Sequence, residues 1–206
     1  WEREGMERYI DWQNQQRTNQ QMAAGRFIEI PALHQTGLYR RDALLALGYR
    51  DLVGQWPIDM DLWNRWFEGG FKVAKVPEPL YFWRQYPTQS TRTHTRCSID
   101  HLRRCKVHFL TREGGPAHGA PIQLWGCGQT LQSWHADLHE AGAEVEVIEW
   151  KPGQPLPAPH SRDGGALPAG GGPVRLFTFG MEKARNRVRG VFQKALREGT
   201  RDWFVN

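Results

Sequence analysis

Two aspartates, Asp59 and Asp61, stand one residue apart at the mouth of the run WPIDMDLWNRWFEGG, residues 56–70. Three chemistries are open to such a pair: ligation of a divalent cation, removal of a proton from a hydroxyl, or capping of a helix. Chelation needs both carboxylates on one side, as where a buried strand runs out. Here Pro57 precedes a pattern in which Leu62 and Trp66, then Trp63 and Phe67, recur at helical i,i+4 spacing until Gly69-Gly70 stops it. Positions i and i+2 of a helix face different ways and cannot hold one ion together. A carboxylate in the first turn is favoured as the anion by the helix dipole and the unpaired N–H groups, which suits a base accepting a proton from a hydroxyl. The same place suits a cap, so the spacing leaves both readings of Asp59 open.

Other clusters offer further chemistry. Cys97, His101, Cys105 and His108 lie near one face of a helix, but at the helical rise they span about 16 Å, so a single tetrahedral ion cannot use all four. In WGCGQT, Gly126 and Gly128 fall after a strand pattern and before a helix, the context in which Gly-rich turns accept phosphate. Leu131 occupies the place of the third glycine of a dinucleotide pattern, and a structural turn is the alternative. Arg92, Arg96, Arg103, Arg104, Lys106 and Arg112 against Asp100 concentrate within residues 92–112 the whole of the formal net charge of +5. Such a strip attracts phosphates or forms a solvated helix face.

The elements that position these groups follow from periodicity and punctuation. Residues 1–24 read as one polar-faced helix carrying Tyr9, Trp12 and Gln16 and stopped by Gly25. An extended piece, FIEIPALHQTG, leads to a helix from Asp42 to the stop at Gly48. The helix opened by Asp59 and Asp61 follows, and FKVAKVPEPLYFW then reads as strand, turn, strand. Residues 98–112 form another helix, with Ser98 as cap and Ile99, Leu102, Cys105, Phe109 and Leu110 as its apolar stripe. Beyond REGGPAHGAP come strand (IQLWGCG), helix (QTLQSWHADLHEAG), strand (EVEVIEW), strand (VRLFTFG) and helix (MEKARNRVRGVFQKAL), a βαβ-type unit with a parallel sheet. The Pro/Gly-rich stretch 151–173 has no apolar periodicity and reads as a disordered loop.

A chain of 206 residues, 39% hydrophobic and 12% aromatic, is long enough for one large domain or two small ones with a real core. Its three cysteines form no C-x-x-C pair, which fits a reducing compartment and a cytoplasmic location. No apolar run approaches the roughly 18 residues of a membrane span. The sequence opens at Trp1 rather than Met, as a fragment or processed product would.

Four stretches, ERYIDWQNQ (7–15), EIPALHQTGLYRRDALLALGYRD (29–51), WPIDMDLWNRWFEGGFKVAKVPEPLYFWRQYPTQSTR (56–92) and WGCG…REGTRDWFV (125–205), together resemble the C-terminal part of a family-2 glycosyltransferase. Within that family the chain is similar to the β-1,3-N-acetylglucosaminyltransferase-like subgroup. The resemblance implies an α/β fold: the acceptor-side half of a GT-A domain over residues 1–113, a linker at 114–120, and a small Rossmann-like α/β domain over 121–206. It also implies an inverting transfer of a sugar from a nucleotide-sugar donor to a glycan or other hydroxyl acceptor. In the family an acidic pair opens the helix beside the acceptor; here Ile58-Asp59 matches it, so Asp59 inherits the role of base. Arg84 matches the Arg of an R-x-H element that closes over the donor diphosphate, with Tyr86 in place of the His. Trp56, Asp61 and Trp63 fall on the acceptor side, with Trp56, Trp63 and Trp83 as candidates for sugar stacking. A divalent cation, Mn or Mg, would be held mainly by residues outside these 206, in a nucleotide-binding half preceding Trp1. No metal site, no specific nucleic-acid partner and no transmembrane segment is expected within them.

Two other classes compete with this reading. A non-catalytic nucleotide-binding or regulatory module would centre on Gly126 and Gly128. A basic nucleic-acid binder would use residues 92–112, which lack the aromatic–basic interleaving of single-strand platforms.

Overall fold

The structure is a computed structural model describing residues 3–51, 56–157 and 172–206, so residues 158–171 of the expected 151–173 loop lie outside the described residues. Two compact units divide the chain, Trp1–Cys105 and Lys106–Asn206.

The described elements of the first unit are helical: α1 (Arg3–Gln15), α2 (Asn19–Gly25), α3 (Arg41–Leu47), α4 (Ile58–Glu68), α5 (Ser90–Thr93), and the start of α6 (Ile99–Thr111), with single 3-10 turns at His34–Thr36 and Thr95–Cys97. The single helix expected over residues 1–24 is two helices. Thr18 interrupts it with a capping box, its Oγ1 accepting from the Gln21 N–H at 3.2 Å while Gln21 Oε1 accepts from the Thr18 N–H at 3.0 Å. The strand, turn, strand expected over 71–83 does not form. The extended chain is there, but its N–H groups pair with helices and the α1–α2 junction rather than a second strand: Phe71 with the Trp66 carbonyl, Val73 with Asn19 Oδ1, Lys75 with the Arg17 carbonyl. Leu80, Tyr81 and Phe82 beyond them are exposed. A strand pattern without a ladder partner stays irregular.

Helix α4 is the centre of this unit. Every residue from Met60 to Trp66 is buried, so the helix is enclosed on all sides rather than on one stripe. Trp12, Met22, Phe27, Ile30 and Leu33 are also buried in the unit's core, each such side chain contributing about 1.5–3 kcal/mol on burial. Lys75 reaches across this layer, its Nζ donating to the carbonyls of Gln13 and Pro31.

The second unit is α/β. Strands β1 (Ile122–Gly126), β2 (Val145–Glu149), β3 (Val174–Phe177) and β4 (Asp202–Phe204) form a wholly parallel sheet of order β2-β1-β3-β4, with α7 (Gly128–Glu140) between β1 and β2 and α8 (Glu182–Phe192) between β3 and β4. Strand alternation puts Gln123, Trp125, Arg175, Phe177 and Phe204 on one face, where Phe192 of α8 meets Trp125 and Phe177. Gly126, on the other face, adjoins Leu131 of α7. The chain leaves β1 and β3 in opposite directions across the sheet, so crossovers of one hand place α7 and α8 on opposite faces. Residues 202–204 carry no strand signal of their own. The ion pair of Asp202 with Arg175 Nη2 (2.8 Å), together with its acceptance of the Arg197 N–H, fixes β4 against β3. Among the described residues no helix is long and apolar enough to cross a membrane.

Candidate functional site

Asp59 sits in the first turn of α4, behind Pro57, which has no side-chain cap to offer. Its Oδ1 accepts the Met60 N–H at 2.9 Å, so one carboxylate oxygen serves the helix end. Its Oδ2 is not used in that way. It faces Nδ1 of His34 at 3.8 Å, and the side chain is 23% exposed. One oxygen of the carboxylate thus serves the helix end and the other faces the imidazole.

The surroundings of Asp59 are acidic and phenolic. Burial holds the Tyr9 phenol far above its ordinary range, and the carboxylates of Glu29 and Asp59 push in the same direction against the hydrogen bond from Gln13. Burial raises Tyr39 to about 12, with Tyr49 and Asp59 adding to it. The Cys97 thiol is raised first by burial and then by Asp59, with Arg96 opposing. Both phenols and the thiol therefore keep their protons near neutrality, and Cys97 is a poor nucleophile. His34 is fixed at the backbone, its carbonyl accepting from Tyr39 Oη at 2.9 Å, and Tyr49 packs edge-on against its ring. Sequence reasoning passed over His34, a single histidine in an irregular stretch whose only signal is its place in the fold.

The other residues expected on the acceptor side belong to the interior. Asp61 is fully buried, with Arg50 Nε at 3.1 Å and Arg65 Nε at 2.7 Å both on Oδ2 and Arg50 Nη2 on Oδ1. Arg65 in turn donates to the carbonyls of Leu47 and Gly48, where Gly48 (φ 62°) closes α3. The acceptor-side expectation for Asp61 is therefore corrected: its carboxylate, closed off from solvent and doubly paired, ties α3 to α4. Trp63 is corrected likewise, since it is buried against Tyr39, Trp66 and Phe67 and donates its indole N–H to the Ala32 carbonyl at 2.8 Å. Trp56 and Trp83 are half-buried. Arg84 and Tyr86 are exposed, and neither is hydrogen-bonded or ion-paired to Asp59; the Tyr86 backbone is pinned to Gln89. Arg84 has no intramolecular polar partner among the described residues, so its guanidinium is open to an anion.

Packing accounts for one glycine of the WGCG turn. A Cβ at Gly126 would lie 1.9 Å from Thr178 Oγ1, where Thr178 leaves β3 and returns two hydrogen bonds to the Trp125 carbonyl. The carboxyl ends of β1 and β3, where a doubly wound sheet opens a crevice, are thus bridged by Thr178. Gly128 begins α7 with φ 64°, a value that favours glycine. The basic strip is also largely engaged. Arg96 pairs with Asp51, Arg103 with Asp100, buried Lys106 donates to the Val205 carbonyl, and Arg112 covers the Phe109 ring. Among the described residues no group of three or more His, Cys, Asp or Glu side chains is placed to hold a metal ion. An open depression lined by Glu182, Lys183, Asn186 and Arg187 runs along α8 and includes none of the expected site residues.

The chain matches no protein-family model, no curated protein and no solved structure.

Proposed function

We propose that residues 1–113 are the acceptor-side half of an inverting GT-A glycosyltransferase, with Asp59 as the base, and that residues 121–206 are a Rossmann-like appendage to it. One observation carries the reading: of two aspartates a residue apart, Asp61 is consumed by Arg50 and Arg65 in the core, while Asp59 keeps an oxygen uncommitted at a partly exposed position. The acidic and phenolic surroundings suit an uncharged hydroxyl and repel a phosphate, so this is an acceptor's place rather than a donor's.

In this reading the O–H bond of the acceptor breaks and its proton passes to the Asp59 carboxylate. The oxygen's electron pair forms the bond to the anomeric carbon of a nucleotide sugar, and the bond from that carbon to the diphosphate breaks on the opposite face. Arg84 is available to the departing diphosphate, with Tyr86 two residues on and Trp56 and Trp83 as sugar-stacking surfaces. A divalent cation would supply further charge neutralisation there. Among the described residues no group of three or more His, Cys, Asp or Glu side chains is placed to hold it.

The test is transfer by the protein that joins these residues to a nucleotide-binding half, with a panel of nucleotide sugars and acceptors and release of nucleoside diphosphate as the readout. Asp59→Asn, which keeps size and capping ability, is expected to lower turnover roughly 100-fold or more, the range for loss of a general base. Turnover equal to the wild type removes Asp59 from the chemistry.

A further inference from the structure

Nδ1 of His34 is shielded from solvent and has no hydrogen-bond partner among the described residues, although the ring as a whole is half-exposed. A buried ring nitrogen left unpaired costs about 1–3 kcal/mol, so such an atom ordinarily has a counterpart within reach. The nearest charged counterpart is Asp59 Oδ2 at 3.8 Å, the oxygen that the Met60 N–H leaves uncommitted. Of the ring's two possible protonation sites, only a proton on Nδ1 gives both atoms a partner.

We propose that His34 is the positioning residue for Asp59: its Nδ1–H donates to Oδ2 and fixes the plane of the carboxylate, so that the remaining lone pair of Oδ2 points to where an acceptor hydroxyl arrives. The inference rests on the reading of Asp59 as base. The geometry of both partners favours it. The Tyr39 Oη bond holds the His34 main chain, the Tyr49 ring packs edge-on against the imidazole, and the Met60 N–H holds the far carboxylate oxygen, which leaves rotation of the two side chains to close the 3.8 Å gap. Tyr9 and Tyr39, whose protons are retained, leave the carboxylate as the acceptor of the group.

The pair can be read without catalysis, in the 206-residue chain itself, from the imidazole 15N chemical shifts, with His34→Asn identifying the resonances among the eight histidines. In the wild type His34 is expected as the Nδ1–H tautomer. In Asp59→Asn, where the amide oxygen takes over the Met60 N–H and the NH2 turns to the ring, it is expected as the Nε2–H tautomer. An Nε2–H ring in the wild type, or a tautomer indifferent to Asp59→Asn, overturns the proposal whatever the activity. Its catalytic half is read in the transfer assay: His34→Ala is expected to lower kcat about tenfold with little change in KM. Rescue is expected from His34→Asn, whose amide N–H stands where Nδ1 stood, and not from His34→Gln. A tautomer switch combined with wild-type kcat in His34→Ala leaves a purely structural pair and overturns the positioning role, whereas loss of the Asp59→Asn effect on turnover refutes the base itself.

Discussion

Asp61 and Arg65, one turn apart on α4, close on each other through a 2.7 Å Nε–Oδ2 hydrogen bond, and Arg65 carries the link on to the last carbonyls of α3. The carboxylate has no exposed surface, and among the described residues its ion-pair partners are Arg65 and Arg50. Removing one member of such a buried pair leaves the other desolvated and uncompensated, at about 3–5 kcal/mol. Asp61→Asn is therefore expected to lower the urea midpoint of the first unit by that equivalent. Any loss of transfer should track the folded fraction. A full-strength fold with chemistry abolished would return Asp61 to the site.

Gly126 makes a second expectation. Its missing Cβ leaves the space that Thr178 Oγ1 occupies at 1.9 Å. Overpacking of this kind costs about 1–3 kcal/mol, so Gly126→Ala is expected to lower the melting temperature, and adding Thr178→Ala should restore part of the loss. If the glycine served a bound nucleotide instead, the double variant would remain as impaired in nucleotide binding as the single one. Titration calorimetry with mono- and dinucleotides distinguishes the two.

Thr18 supplies a third. Its capping box with Gln21 is what turns the expected single helix into α1 and α2. Loss of an N-cap oxygen costs about 1 kcal/mol, and Thr18→Ala is expected to destabilise by that amount in chemical denaturation. Thr18→Ser, which keeps the oxygen, should be close to neutral. A more stable Thr18→Ala would mean that the continuous helix had been the better arrangement.

How far these features could be read from the residues follows from how local their causes are. Pro57 and Gly69-Gly70 bracket α4 almost where the spacing predicts, and the β1-α7-β2 and β3-α8 patterns appear in order, because caps, stops and periodicity act within a few residues. The Thr18-x-x-Gln21 signature was equally local and lay unused inside a run of helix formers. Residues 71–83 have the composition of strands, but a strand is completed by a partner, and here the partners are Asn19 and the Arg17 carbonyl, more than fifty residues away. Asp202–Phe204 is too short to show a period and owes its place to Arg175. At the site, the position of Asp59 was legible as a helix N-terminus. The division of labour between its oxygens, the burial of Asp61 and the approach of His34 all depend on residues that meet only on folding.

Lys75 gives the pH dependence. Burial lowers its amine from 10.5 to about 8 while it donates to the Gln13 and Pro31 carbonyls, two bonds that a neutral NH2 can also make. Below pH 8 the amine is charged in both states and the desolvation cost is fully present. Between pH 8 and 10.5 the folded chain has released the proton that the unfolded chain still binds, so stability rises with pH across that window. Arg26, lowered to about 10 by burial, acts with the same sign only at higher pH, and Tyr39, raised to about 12, begins to oppose it there. Within pH 8–10 the Cys97 thiol, raised from 9.0, opposes this rise, but it does so equally in both proteins, so the melting temperature of the wild type is expected to rise relative to that of Lys75→Met. Because the substitution also deletes both hydrogen bonds, only the slope against pH is diagnostic. Parallel curves for the two proteins would show that the ammonium is solvated in the folded state after all.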